Sequence, residues 1–168
     1  MASASASTAL VRISPLVLSS ASLMSSWSQD ISLGAFLHPS LRSDPAHPSG
    51  RILPRYLPAF MSPGLWGIGL TYPPTAVLCI VNGLSDPSSR ARTLYLAGAV
   101  FSIAHFVWGP TMFRLLARIR EPNLAGGRNE VALQEWRGKH RARTLLTNFP
   151  AFVCILAATL ITVTEGLA

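Results

Sequence analysis

The run 142–164 carries no charge beyond Arg143 at its edge, and it limits more than any other feature how this chain can fold. About 20 apolar residues suffice for a helix to cross a bilayer. Inside hydrocarbon, only a helix or a closed barrel satisfies its own backbone. A second run, 91–113, is apolar except for Arg92 near its start and one imidazole, His105, deep within it. A third, 61–84, is also long enough to cross. Its Gly64, Gly67 and Gly69 allow close backbone approach, and Pro73-Pro74 predicts a kink.

The segment 9–37 admits three readings. Arg12 followed by 13–24 has the form of a cleaved signal peptide, and the alanine- and serine-rich start suits an organelle transit peptide. The whole also suits a membrane helix rich in small residues. Apolar residues resume after Asp30 for two more turns, which favours the helix, with Asp30 facing the interior or the boundary. Residues 1–8 form a Met/Ala/Ser/Thr tract and are expected to be disordered. Five prolines in 38–60 predict an extramembrane loop there. A second, basic loop is expected between 114 and 139, with a helix end at Glu-Pro-Asn and a flexible crossing at Gly-Gly. The expected architecture is therefore all-α: an integral membrane four-helix bundle over 9–168, with spans near 9–37, 61–84, 91–113 and 142–164.

Charged residues make up 12% and apolar residues 49% of the chain, against about 25% charged in a typical soluble domain. The net charge of +7 would suit nucleic acid, but Lys139 is the only lysine. Outside the first and third loops and their flanks, the basic residues are only Arg12, Arg90 and Arg92. The positive-inside rule accounts for that bias without a polyanion, and puts both loops in the cytosol and both termini in the lumen. Cys79 and Cys154 both fall inside predicted spans; a disulfide across the bundle is one reading, two reduced thiols the more ordinary one. The four histidines show neither HxxxH nor HExxH spacing, so no metal motif is present.

His105 lies eight residues before the basic loop, ~12 Å deep at the helical rise of ~1.5 Å per residue. An ionisable group at that depth is a functional candidate, because desolvation is costly. A neutral histidine bonding a neighbouring helix is the alternative. Trp108 and Met112, at i+3 and i+7, share its face as packing or as a substrate platform. On a helix, Trp136, His140, Arg143 and Thr147 fall at i, i+4, i+7 and i+11, which is one face, with Asn148 at its edge. Trp with Arg also anchors a helix at the membrane boundary. That role leaves Asn148-Phe-Pro150 unexplained, since a carboxamide one turn deep needs a partner.

Ala104-His-Phe106, Gly109-Pro-Thr111 and Trp136-x-x-x-His140-x-x-Arg143, with Gly69 and Pro73-Pro74 before them, resemble the small fungal anthrone oxygenase-like membrane proteins. The resemblance runs from about Gly64 to the C-terminus, and its most specific part is the Trp/His/Arg spacing. It implies a cofactor-independent monooxygenase of secondary-metabolite biosynthesis that converts an anthrone-type aromatic polyketide to an anthraquinone, with molecular oxygen as co-substrate. The implied partners are that polyketide, membrane lipid and other enzymes of the pathway, with no nucleic acid. The endoplasmic reticulum is the expected site. A base must remove an acidic methylene proton, and hydrogen-bond donors must hold the resulting oxyanion. His140 or His105 would be the base, Arg143 and Asn148 the oxyanion donors, and Trp108, Trp136 and Met112 the substrate-binding walls. Between the histidines, His140 is the expected base, since Lys139, Arg141 and Arg143 disfavour its charged form and a wet boundary lets it exchange protons. His105 would then be a hydrogen-bonder or relay. A non-catalytic accessory subunit and a carrier for a lipophilic metabolite are the rival functions.

Overall fold

The computed structural model describes residues 6–42, 49–121 and 129–167, and these are helical apart from short turns. Helix α1 spans Ala6–Gly34 and ends in the 3₁₀ turn Ala35–Leu37; α2 is the short Pro39–Arg42. Helix α3 runs Ser49–Ser85. Helix α4, Ser89–Ala104, passes through a 3₁₀ turn, His105–Trp108, into α5, Gly109–Arg120. Helix α6, Asn129–Arg143, passes through a π turn, Thr144–Asn148, into α7, Phe149–Leu167. Four stretches are long and apolar enough to cross a membrane: Ala6–Leu37, Arg51–Ser85, Ser89–Arg120 and Asn129–Glu165. They pack as one bundle, α3 on α4, α4 on α7, and α1 on both α3 and α7. Outward-facing Leu70, Val77, Val100, Val107 and Leu160 are more than half exposed, as lipid-facing side chains are.

The expected loop 38–60 is a different structure wherever it is described. Helix α3 begins at Ser49 and continues through Pro54, Pro58 and Pro63. Each proline removes one backbone donor, but Pro58 and Pro63 face outward. Leu53 and Leu57 of the same turns are 0% and 2% exposed, packed in a cluster with Leu33, Leu133 and Trp136. Burial of that row overrides the local penalty. Likewise Ala6–Thr8 belong to α1 rather than to a disordered tail, and the basic segment is helical up to Arg120 and again from Asn129. Residues 1–5 and the Pro-Asn and Gly-Gly positions of the crossing lie outside the described residues. Cys79 and Cys154 are free thiols.

Two apolar cores lie toward opposite ends of the bundle. One contains Cys79, Tyr95, Ala99, Ile155 and Ala158; the other is built on Leu33, Leu53, Met112, Leu115, Leu133 and Trp136. The first is tight. A Cβ on Gly98 would fall 2.6 Å from Ile155 Cγ1, so α4 and α7 approach closely because that position is bare. Along every one of the four long helices, buried polar residues stand between the two cores: Ser22 and Ser26, then Thr75, then Ser102 and His105, then His140, Arg143 and Asn148. The 3₁₀ turn and the π turn fall in the same layer. Pro150 cannot donate to the carbonyl of Leu146, and the wide turn immediately before it absorbs that missing bond.

Candidate functional site

The one-face spacing of Trp136, His140, Arg143 and Thr147 places all four inside, each 6% exposed or less. The π turn adds a residue to the next turn and carries Asn148 inward as well, to 4% exposure. Facing them, α1 buries Ser19, Ser22, Ser26 and Gln29, a polar stripe at helical spacing. Ser19 and Ser22 satisfy their hydroxyls on carbonyls of their own helix. Ser26 instead joins the opposite wall.

The hydrogen bonds fix the tautomers of both histidines. A guanidinium only donates, so Arg143 Nη2 donates to His140 Nδ1 at 2.8 Å. His140 Nε2 must then carry the hydrogen, and it donates to the Ser26 carbonyl at 2.8 Å. Both ring nitrogens of His140 are therefore in use. Trp136 stacks on the ring, centroids 4.6 Å apart and planes at 16°. The sequence places His140 at a wet boundary; the packed α6 leaves it 1% exposed.

His105 is held differently. Asn148 Nδ2 donates to Ser26 Oγ at 2.8 Å, which turns its oxygen toward the imidazole. His105 Nδ1 donates to that oxygen at 3.0 Å. Nε2 is consequently the basic nitrogen, since the hydrogen bond found for this ring among the described residues is at Nδ1. The Tyr72 ring lies against the imidazole, centroids 3.8 Å apart. His105, Arg143, Asn148 and His140 thus form one connected group through Ser26, as a shared site requires.

Open space adjoins this group on more than one side. A cleft of about 110 Å³ is bounded by His105, Arg143, Trp136 and Gln29 at its polar end and by apolar side chains elsewhere. It shares Met61, Leu65, Phe113 and Leu116 with an open apolar groove of about 720 Å³ between α3 and α5. On the other side of His105, Arg143 and Gln29 lies a cavity of about 40 Å³ lined by Ser22, Ser25, Ser26, Thr71 and Tyr72. That volume and lining suit ordered water. Met112 and Trp136 line the cleft as expected wall residues would. Trp108 does not; the cleft follows the neighbouring ridge of Phe106, Gly109, Phe113 and Leu116, and Trp108 packs against the apolar core instead.

Sequence reasoning passes over Ser26, Tyr72 and Gln29. Ser22, Ser26 and Gln29 recur at i, i+4 and i+7, which is the available signal, hidden in a segment equally readable as a leader. Tyr72 carries no pattern of its own. Asp30, on the same helix, is ion-paired to Arg137 at 3.1 Å and Arg141 at 2.9 Å, which joins α1 to α6 beside the site without neutralising Arg143.

No family model matches the chain, and no solved structure matches it. Two curated proteins do, over nearly their whole length. "Epoxidase pydX" from Acremonium sp is 27% identical over 159 residues, which cover 90% of this chain and 93% of that protein. "Probable epoxidase scpX" from Mollisia scopiformis is 30% identical over 161 residues, which cover 90% of this chain and 94% of that one. On that identity and coverage, the chain belongs to the family of these epoxidase-named proteins.

Proposed function

We propose that this protein is a membrane-embedded oxygenase that takes an apolar, unsaturated aromatic polyketide from the bilayer and starts its oxidation by proton removal at His105. The observation that carries the reading is that His105 lines an apolar cleft with its Nδ1 held by Asn148, which leaves Nε2 as the basic nitrogen. A general base needs an available lone pair, a fixed orientation and a dry approach for the substrate. His105 has all three. His140, the base expected from sequence, becomes a positioning residue, its lone pair taken by Arg143.

Proton removal leaves an electron-rich carbanion, to which dioxygen adds with formation of one C–O bond. From an anthrone, the hydroperoxide then loses water, and anthrone plus dioxygen gives anthraquinone plus water. The epoxidase names of the relatives favour a second outcome. There the peroxide adds to an adjacent activated double bond, the O–O bond breaks, and the product keeps both oxygens as an epoxide and a hydroxyl. In either outcome the substrate supplies all the electrons, so the proposal includes independence from metal and flavin. The open groove on α3 and α5 supplies lateral entry for a lipophilic substrate, and the hydroxyl-lined cavity an exit for the proton.

The test is product analysis under ¹⁸O₂ with an anthrone and, separately, with an aromatic polyketide carrying an activated double bond beside its acidic C–H, in EDTA-treated membranes, subtracting autoxidation in membranes without the protein. A product with one labelled oxygen and two hydrogens fewer is the quinone outcome; two labelled oxygens with no hydrogen lost is the epoxide outcome. No protein-dependent label, or label restored only by added metal, overturns the proposal.

A further inference from the structure

Arg143 is 6% exposed, and among the described residues no carboxylate lies within ion-pair distance of it. Its partner, His140, is neutral and accepts only at Nη2. Arg143 Nε–H is buried without an acceptor, and so is Trp136 Nε1–H. Both residues line the polar end of the cleft. Gln29 stands there too, 7% exposed, with its amide nitrogen beside Gly64. Folded proteins pair nearly all their buried donors, so a group of orphans around a cavity marks what a bound molecule supplies. A buried cation without a counter-charge asks for an anion.

We propose that Arg143, Trp136 and Gln29 form an oxyanion site, and that the substrate is an apolar molecule bearing an acidic phenol, bound as its anion. The oxygen accepts from Arg143 Nε and Trp136 Nε1, with the Gln29 amide as a third donor, while the apolar remainder fills the cleft toward Met112 and Phe113. One guanidinium between greasy walls suits a single negative charge and disfavours a phosphate dianion, whose second charge would stay unpaired. On ionisation the O–H bond breaks, its electron pair stays on oxygen, and the proton leaves through the hydroxyl-lined cavity to bulk water. This deepens the oxygenase reading, since it rests on the cleft being the substrate site, and it assigns Trp136 a donor's task in addition to a wall's.

The probe is 2-hydroxyanthraquinone, an unreactive polycycle whose phenol and phenolate forms differ in visible absorption, titrated into the purified full chain in detergent. The bound dye is expected to ionise at a pH lower than free dye in the same detergent by about one unit, a tenfold change in its ionisation constant. Arg143→Met should abolish the shift and Arg143→Lys retain part of it. Gln29→Leu should weaken binding of the hydroxylated dye on the order of tenfold while leaving unsubstituted anthraquinone unaffected, and it carries the comparison if Arg143→Met does not fold. No shift in the wild-type protein, or equal binding of both dyes, overturns the oxyanion site. His105→Ala should keep the dye shift. Turnover surviving in that variant therefore tells against the base alone, and a missing dye shift tells against the oxyanion site alone.

Discussion

His105→Ala is expected to lower turnover by about 10²-fold or more, the usual worth of a general base, while KM changes little. The expectation follows from the tautomer. Ser26 Oγ takes the Asn148 amide, the Asn148 oxygen takes His105 Nδ1–H, and the remaining nitrogen of this cleft-lining ring keeps its lone pair. Alanine removes that lone pair and little of the apolar wall, which belongs to Met61, Leu65, Met112 and Phe113. Oxygen uptake by membranes with matched amounts of folded protein reads the effect. Turnover retained in His105→Ala rejects the assignment. An equal rise in KM would make His105 a substrate-binding residue rather than the base.

His140→Ala is expected to act on the fold first, with a loss of stability on the order of 3 kcal/mol. A hydrogen bond to a charged group contributes about 1.5–3 kcal/mol, and a buried donor left unpaired costs about 1–3 kcal/mol. The substitution breaks such a bond and leaves Arg143 Nη2 a buried donor without its acceptor, while the Ser26 carbonyl, lying inside α1, loses only its side-chain donor and keeps that of the helix. It also removes the ring on which Trp136 stacks. Thermal unfolding in detergent checks this. A variant with an unchanged melting temperature and no turnover would return the role of base to His140.

Much of this site is legible in the sequence. The spacing Trp136, His140, Arg143, Thr147 needs only the helical period, and all four side chains are interior. The place of Asn148 is less so, because a strict α-helix leaves it at the edge; the π turn next to Pro150 brings it in. The different hydrogen bonding of the two histidines is invisible in sequence for a plain reason. Basic neighbours in the chain suggest a wet boundary for His140, but its environment is set by Ser26, 114 residues away. The helical start of α3 shows the same limit from the opposite side. Its prolines argue locally for a loop, and only the cluster reaching Leu33 and Trp136 explains why Leu53 and Leu57 are buried in a helix. Four apolar spans, by contrast, follow from length and composition, which no tertiary contact can reverse.

The central claim is that oxygenation begins when His105 takes a proton from carbon. It is tested most directly by single-turnover oxygen uptake with an anthrone carrying hydrogen or deuterium at its methylene, in the wild-type protein and in His105→Ala. The account predicts slower uptake of the deuterated substrate in the wild-type protein, and in His105→Ala no uptake above that of membranes without the protein. Equal rates for both isotopologues in the wild-type protein would contradict it.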